Sequence, residues 1–298
     1  MYTASVQQRP LGATGISVSA VGLGAGRIGG SETSEAEVDR LIGAALDAGV
    51  TLFDSARSYG LSEERLGRAL AGRRERVVLS TKIGYGIEGT QDWTAPCIAA
   101  GVDAALARLR TDRIDVVHLH SCPLPVLQHS GVVEALLRAR DAGKLRVAAY
   151  SGEGEALAWA VRSGAFGAVQ CSVSVLDQGE LDGAVAEAAA RGIGVLAKRP
   201  LGNAPWRFAA RPSEPDLAEA FDRFRALAPA ADAMPLPALF ARFAAFTAGV
   251  SAVLVGTASA AHLAEACAAV ERGPLAEADF AALRATFAAR GGSWPGRV

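Results

Sequence analysis

The sequence predicts an α/β fold: a closed (β/α)8 TIM barrel with an N-terminal β-hairpin and extra helices in the loop after barrel strand seven and at the C-terminus. Three observations predict it. Short apolar runs alternate with amphipathic stretches eight times along the chain, the rhythm of a parallel sheet covered by helices. A glycine-punctuated alternating segment precedes the first unit. The length, 298 residues, suits a barrel of typically ~250 residues with additions, and no linker, repeat or low-complexity tract divides it, so 1–298 reads as a single barrel domain. An open doubly wound sheet is the rival. Its phosphate fingerprint is missing, because Arg27 stands where GLGAGRIG would need the third glycine.

Residues 9–19, RPLGATGISVS, read as the hairpin and 20–24 as the first barrel strand. Gly24 ends that strand, where a side-chain-free backbone can approach a ligand. Ser34 and Glu37 form a capping box opening a helix to Ala48 that Gly49 stops. Strands are then expected at 51–54, 77–81, 116–120, 145–150, 168–170, 193–197 and 253–255. The intervening helices are expected at 62–71, 96–109, 132–142, 155–163, 180–190, 236–247 and 259–270, several closed by glycine. An irregular insertion from strand seven to residue 232 holds a helix near 217–227, and a tail helix spans 276–289.

Composition bounds the function. The formal net charge is −1, with no basic patch for nucleic acid. No run approaches the ~18 apolar residues that read as a membrane span, and the first ten residues lack a secretory pattern. Cys97, Cys122, Cys171 and Cys267 are scattered without metal-ligand spacing, which reads as reduced thiols in a cytoplasmic protein with no metal site. Only three of the thirty basic residues are lysines: Lys82, Lys144 and Lys198.

In such a barrel the site lies at the C-terminal ends of the strands. Those ends carry Asp54, Lys82, His120, Ser151, Gln170, Lys198 with Arg199, and Gly256 with Thr257. Tyr59 follows Asp54 by five residues, on the turn after strand two. A phenol with a reference pKa near ~10 exchanges protons near neutrality only with help, and the ammonium of Lys82 is placed to stabilise its phenolate. Asp54 can hold Lys82 in place. His120 can donate to a substrate carbonyl. The types together make a general acid over a carbonyl, with neither a nucleophile nor a metal. His118 shares a strand face with His120 and reads as a hydrogen-bonded core histidine. Trp93 and Trp206 sit on loops at the mouth as candidate pocket walls.

FDSARSYG, STK, LARLRTDRIDVVHLH, GKLRVAAYSG, AVQCSVSVLD, GVLAKRPLGNA and VLVGTASAAHLAEA resemble, in order, the segments of the aldo-keto reductases. The resemblance covers nearly the whole chain. It implies a catalytic tetrad of Asp54, Tyr59, Lys82 and His120, with Tyr59 as general acid/base in NAD(P)H-dependent carbonyl reduction or alcohol oxidation. The substrate would be a small aldehyde, ketone or sugar. It also implies cofactor contacts at Gly24, Asp54, Ser151, Gln170, Lys198, Arg199, Leu201, Gly256, Thr257 and His262.

The chain departs from the family where the cofactor is gripped. Ser151-Gly152 replaces the usual Ser-Asn, Lys198 falls where an aromatic commonly stacks on the nicotinamide, and Gly256-Thr257 with His262 replaces the Lys-Ser and Arg that grip a 2′-phosphate. NADP(H) is the first choice of cofactor by family habit, with NAD(H) second. Two other functions share the barrel: a non-catalytic nicotinamide-nucleotide-binding partner subunit, and a Schiff-base lyase using Lys82 or Lys198.

Overall fold

The computed structural model describes residues 6–229 and 234–297. Of the sequence readings, the start of the N-terminal segment and the end of the insertion at 230–232 lie outside these residues.

Two short strands, β1 (Gln8–Pro10) and β2 (Ser17–Ser19), pair antiparallel as the expected hairpin. Eight parallel strands then close a barrel: β3 (Val21–Gly24), β4 (Leu52–Asp54), β5 (Val78–Ile83), β6 (Ile114–His120), β7 (Leu145–Ser151), β8 (Ala168–Ser172), β9 (Gly194–Lys198) and β10 (Val250–Gly256). They run in sequence order, and β10 returns to pair with β3.

The helices follow local signals. Ser34 caps α1 (Glu35–Asp47) in a complete capping box with Glu37. The other covering helices are α2 (Ser62–Ala69), α3 (Ala95–Leu109), α5 (Val132–Asp141), α6 (Gly154–Arg162), α7 (Ala186–Ala190), α9 (Leu236–Ala245) and α10 (Ala260–Glu271). The predicted extra helices are α8 (Pro215–Leu227) in the insertion after β9, and the C-terminal α11 (Glu277–Arg290).

Some local structure differs from the sequence reading. A short α4 (Leu124–His129), with proline in its first turn, occupies a stretch read as loop. The single helix expected over 180–190 begins as a π-helical turn, Leu181–Val185, before α7. Strand β10 starts three residues early, because Val250 and Ala252 pair with β9 across an irregularity that the apolar run alone does not reveal.

Two apolar clusters divide the core. One fills the space between strands and helices. The other lies inside the barrel, where Leu52, Val78, Val116, Val147 and Leu196 meet Leu11, Ile16 and Val18 of the hairpin segment. The hairpin therefore plugs the N-terminal end. Gly12 is required there: its φ is +53°, and an added Cβ would lie 2.3 Å from the Gly192 carbonyl oxygen. All four cysteines are free and buried. No described helix is long and apolar enough to cross a membrane.

Candidate active site

Alternation along each strand carries the barrel interior from apolar to polar. Leu52 is followed two residues on by Asp54, Val78 by Ser80 and then Lys82, Val116 by His118 and then His120, and Leu196 by Lys198. The N-terminal half of each row packs on the hairpin, and the C-terminal half opens at the mouth. Asp54, Ser80, Lys82, His118 and Gln170, far apart in sequence, thus meet without leaving regular strands.

Asp54 is the hub. Its Oδ2 accepts from Lys82 Nζ at 2.6 Å, and its Oδ1 accepts from Ser80 Oγ at 2.7 Å and Gln170 Nε2 at 3.1 Å. Lys82 also donates to the Ser55 carbonyl at 2.7 Å. Burial pushes the Lys82 ammonium down, but Asp54 and Tyr59 outweigh that and hold its pKa above the usual lysine value. Ser80 gives its proton to Asp54, so it accepts from His118 Nε2 at 3.1 Å. His118 is fully buried, and burial lowers its pKa to about 4. It is a hydrogen-bonded core histidine.

Tyr59 leans over Lys82, whose Nζ lies 4.9 Å from the ring centroid, and its ring meets His120 edge to face at 6.1 Å. Gly26 flanks the phenol, where a Cβ would touch the ring at 3.5 Å. Burial, followed by the charges of Lys82 and Lys198, lowers the His120 pKa to about 3, so its imidazole is neutral. Its Nδ1 lies 2.7 Å from the hydroxyl of Tyr85, a residue sequence reasoning passed over. Tyr85 is one of only four tyrosines and lies three residues beyond Lys82. Ser80, two residues before Lys82 on the same strand face, was missed as well.

The residues expected to hold a cofactor are spread along the mouth. Gly24 pairs with Gly256 at the β3–β10 seam, and a Cβ on Gly24 would lie 3.3 Å from Gly256 Cα, so the seam is a side-chain-free floor. Ser151 Oγ donates to Gln170 Oε1 at 3.2 Å, so both belong to the Asp54 network. Lys198 is in an ion pair with Glu153 at 3.2 Å. Burial pushes its ammonium down and the Glu153 carboxyl up, each partly offset by the other. Arg199, at φ +52°, donates at 2.6 Å to the carbonyl of Arg297 in the C-terminal tail. Leu201 is half-buried against the core. Thr257 Oγ1 accepts from the Ser259 amide at 3.0 Å, and Ser259 caps α10 by accepting from the backbone of His262, which is exposed in the first turn.

Trp93 lies at the mouth, edge-on to Tyr85 at 5.7 Å. Trp206 packs on Phe240 of α9 at 4.9 Å and on Phe224 of α8, so it joins the insertion to the barrel's helical layer.

A closed eight-stranded parallel barrel thus carries an aspartate–lysine–tyrosine cluster at its C-terminal mouth. The sequence profile of the aldo/keto reductase family matches residues 20–287, and the chain belongs to that family. It is 37% identical over 148 residues to the aldo-keto reductase YhdN of Bacillus subtilis, covering 46% of this chain and 44% of that one. It is 34% identical over 156 residues to L-galactose dehydrogenase of Arabidopsis thaliana, covering 49% of each. The matched stretch thus spans under half the length of either relative. Among solved structures, a putative aldo-keto reductase from Pseudomonas aeruginosa superposes with a TM-score of 0.72 at 30% identity, covering 91% of this chain and 97% of that one.

Proposed function

We propose that this chain is an NAD(P)H-dependent oxidoreductase that reduces the carbonyl of a small aldehyde, ketone or sugar, or oxidises the corresponding alcohol. One observation carries the reading: a buried ammonium, Lys82, locked to Asp54 at 2.6 Å and lying against the Tyr59 ring. That arrangement suits a phenol that gives up and regains a proton.

Tyr59 donates its hydroxyl proton to the carbonyl oxygen, and Lys82 stabilises the negative charge left on the phenol oxygen. Asp54 fixes Lys82, while Ser80 and Gln170 satisfy the other carboxylate oxygen. Neutral His120 donates to the same carbonyl oxygen and orients it. When bound, the nicotinamide supplies the hydride in reduction and accepts it in oxidation.

The side-chain-free Gly24–Gly256 floor and the capped N-terminus of α10 fit a dinucleotide, since helix N-termini favour phosphate. Gly24, Lys198, Arg199, Leu201, Gly256, Thr257 and His262 would hold it, and Ser151 and Gln170 would contact its nicotinamide end. NADP(H) is the first choice by family habit, with NAD(H) second; Gly256-Thr257 and His262, standing where a Lys-Ser and an Arg commonly grip a 2′-phosphate, weaken the charge-based preference for NADP(H). The resemblance to a protein named L-galactose dehydrogenase supports placing sugars and their lactol forms in the substrate screen.

The test is titration of NADPH and NADH by fluorescence, followed by turnover of a carbonyl and alcohol panel. Tyr59→Phe is expected to lower kcat by about 10²–10⁴-fold while leaving cofactor affinity unchanged. Wild-type turnover in that variant would sink the assignment. Tight cofactor binding with no turnover across the panel would replace the enzyme with a nucleotide-binding subunit.

A further inference from the structure

We infer that Tyr85 is a positioning residue of this site: its hydroxyl donates to His120 Nδ1 and so fixes the imidazole in the tautomer that carries its proton on Nε2. The inference rests on the carbonyl-reduction reading for its consequence, but the tautomer is a separate physical claim.

The geometry has three parts. Tyr85 Oη lies 2.7 Å from His120 Nδ1, and the two rings are nearly parallel, 21° apart with centroids at 5.7 Å. Among the described residues Nε2 has no hydrogen-bond partner, so it is the nitrogen left for a ligand. The loop that carries Tyr85 is itself held. Gly84, at φ +141°, leaves room for the Trp93 ring, which would lie 2.1 Å from an added Cβ. The Trp93 amide donates to the Gly84 carbonyl at 2.8 Å, and the Gly86 amide donates to Asp92 at 2.9 Å. Tyr85 is thereby clamped between Trp93 and His120.

A neutral imidazole has one donor nitrogen and one acceptor nitrogen, and its partner selects which is which. Two arrangements are available to this pair. Tyr85 can donate to Nδ1, leaving Nε2–H facing the mouth. Alternatively Nδ1–H can donate to Tyr85, whose own proton then goes to Ser58 Oγ, 3.3 Å away. The second route leaves the Tyr85 proton on a 3.3 Å bond to an exposed hydroxyl, whereas the first places it in the 2.7 Å contact, a length typical of an O–H donor, so the first is favoured. The choice matters for chemistry. An Nε2–H donates to a carbonyl oxygen, whereas a bare Nε2 only accepts and cannot polarise a carbonyl.

Tyr85→Phe keeps the ring between Trp93 and His120 and deletes only the hydroxyl. The test compares the ring-nitrogen NMR spectra of His120 in nitrogen-15-labelled wild type and Tyr85→Phe, alongside kcat, cofactor Kd and Tm. The expected wild-type spectrum shows a protonated Nε2 and a bare Nδ1. Tyr85→Phe should show a mixture of tautomers and a kcat for reduction lower by about tenfold, with Kd and Tm little changed. A wild-type spectrum in Tyr85→Phe, or a bare Nε2 in the wild type, overturns the inference. So does unchanged kcat in Tyr85→Phe when Tyr59→Phe is inactive. If Tyr59→Phe turns over like wild type, the carbonyl-reduction reading falls on its own, and the spectra still decide the tautomer.

Discussion

Asp54 accepts hydrogen bonds from Lys82, Ser80 and Gln170, so one carboxylate satisfies three buried donors. The Lys82 and Asp54 side chains are only 2% and 6% exposed. A buried pair of this kind contributes little net stability, because desolvating two charges offsets their attraction, yet removing one partner strands the other. Lys82→Met is therefore expected to destabilise the fold by about 3–5 kcal/mol, measured by urea unfolding. Adding Asp54→Asn to that variant should recover part of the loss, since no lone charge remains. A cost under about 1 kcal/mol for Lys82→Met would mean that Asp54 does not need its partner. The residue types here were legible in sequence as polar positions at strand ends. The hub was not, because Gln170 lies 116 residues from Asp54 and was assigned to the cofactor alone.

At the scale of elements, the two ends of the barrel do different work. The β1–β2 segment plugs the N-terminal end, with Leu11 fully buried beneath Gly194, where an added Cβ would lie 2.4 Å from the leucine side chain. Leu11→Ala should cost about 2–5 kcal/mol in unfolding free energy while cofactor affinity stays unchanged, because the mouth lies at the opposite end. A change in affinity would show that the plug reaches the site. The C-terminal segment after α11 closes over the exits of β8 and β9. Its Arg297 forms a buried ion pair with Asp177, which also pairs with Arg223 at 2.9 Å, and the Arg297 carbonyl receives Arg199. Nothing in the periodicity of the tail announced this, since a single arginine beyond a helix has no pattern. The capping box of α1 was legible, because it is complete within four residues.

For the whole molecule, the polar interior makes stability depend on pH. Burial lowers His118 to about 4 and His120 to about 3, below the ordinary histidine value near ~6.5. Between those values the unfolded chain binds protons that the folded chain does not, so stability falls as pH falls. For His118 the full loss is about 3 kcal/mol, reached below pH 4. Asp177 acts in the same direction: Arg297 holds its carboxyl below the usual range despite burial, and that stability is lost as acid protonates it. Glu153, raised by burial, works against them. Unfolding midpoints should drop steadily from pH 7 to pH 4, and His118→Gln should flatten the slope. A midpoint flat across that range would contradict neutral buried histidines.

The sequence by itself determined the architecture and the roster. Eight apolar runs, their capping and stop signals, and the hairpin before them specify the barrel, because secondary structure is set by patterns a few residues long. Strand ends likewise placed Asp54, Lys82 and His120 at the barrel mouth, and period-two alternation put His118 on the face of His120. The tertiary structure alone decided the pairings. Only closure of the barrel and the register of its strands bring Asp54 to Gln170, Lys198 to Glu153 and His120 to Tyr85. Periodicity fixes the face on which a side chain lies, but its neighbour across the interior depends on how far each strand slides past the next. That slide is set by the whole ring of strands rather than by any one of them.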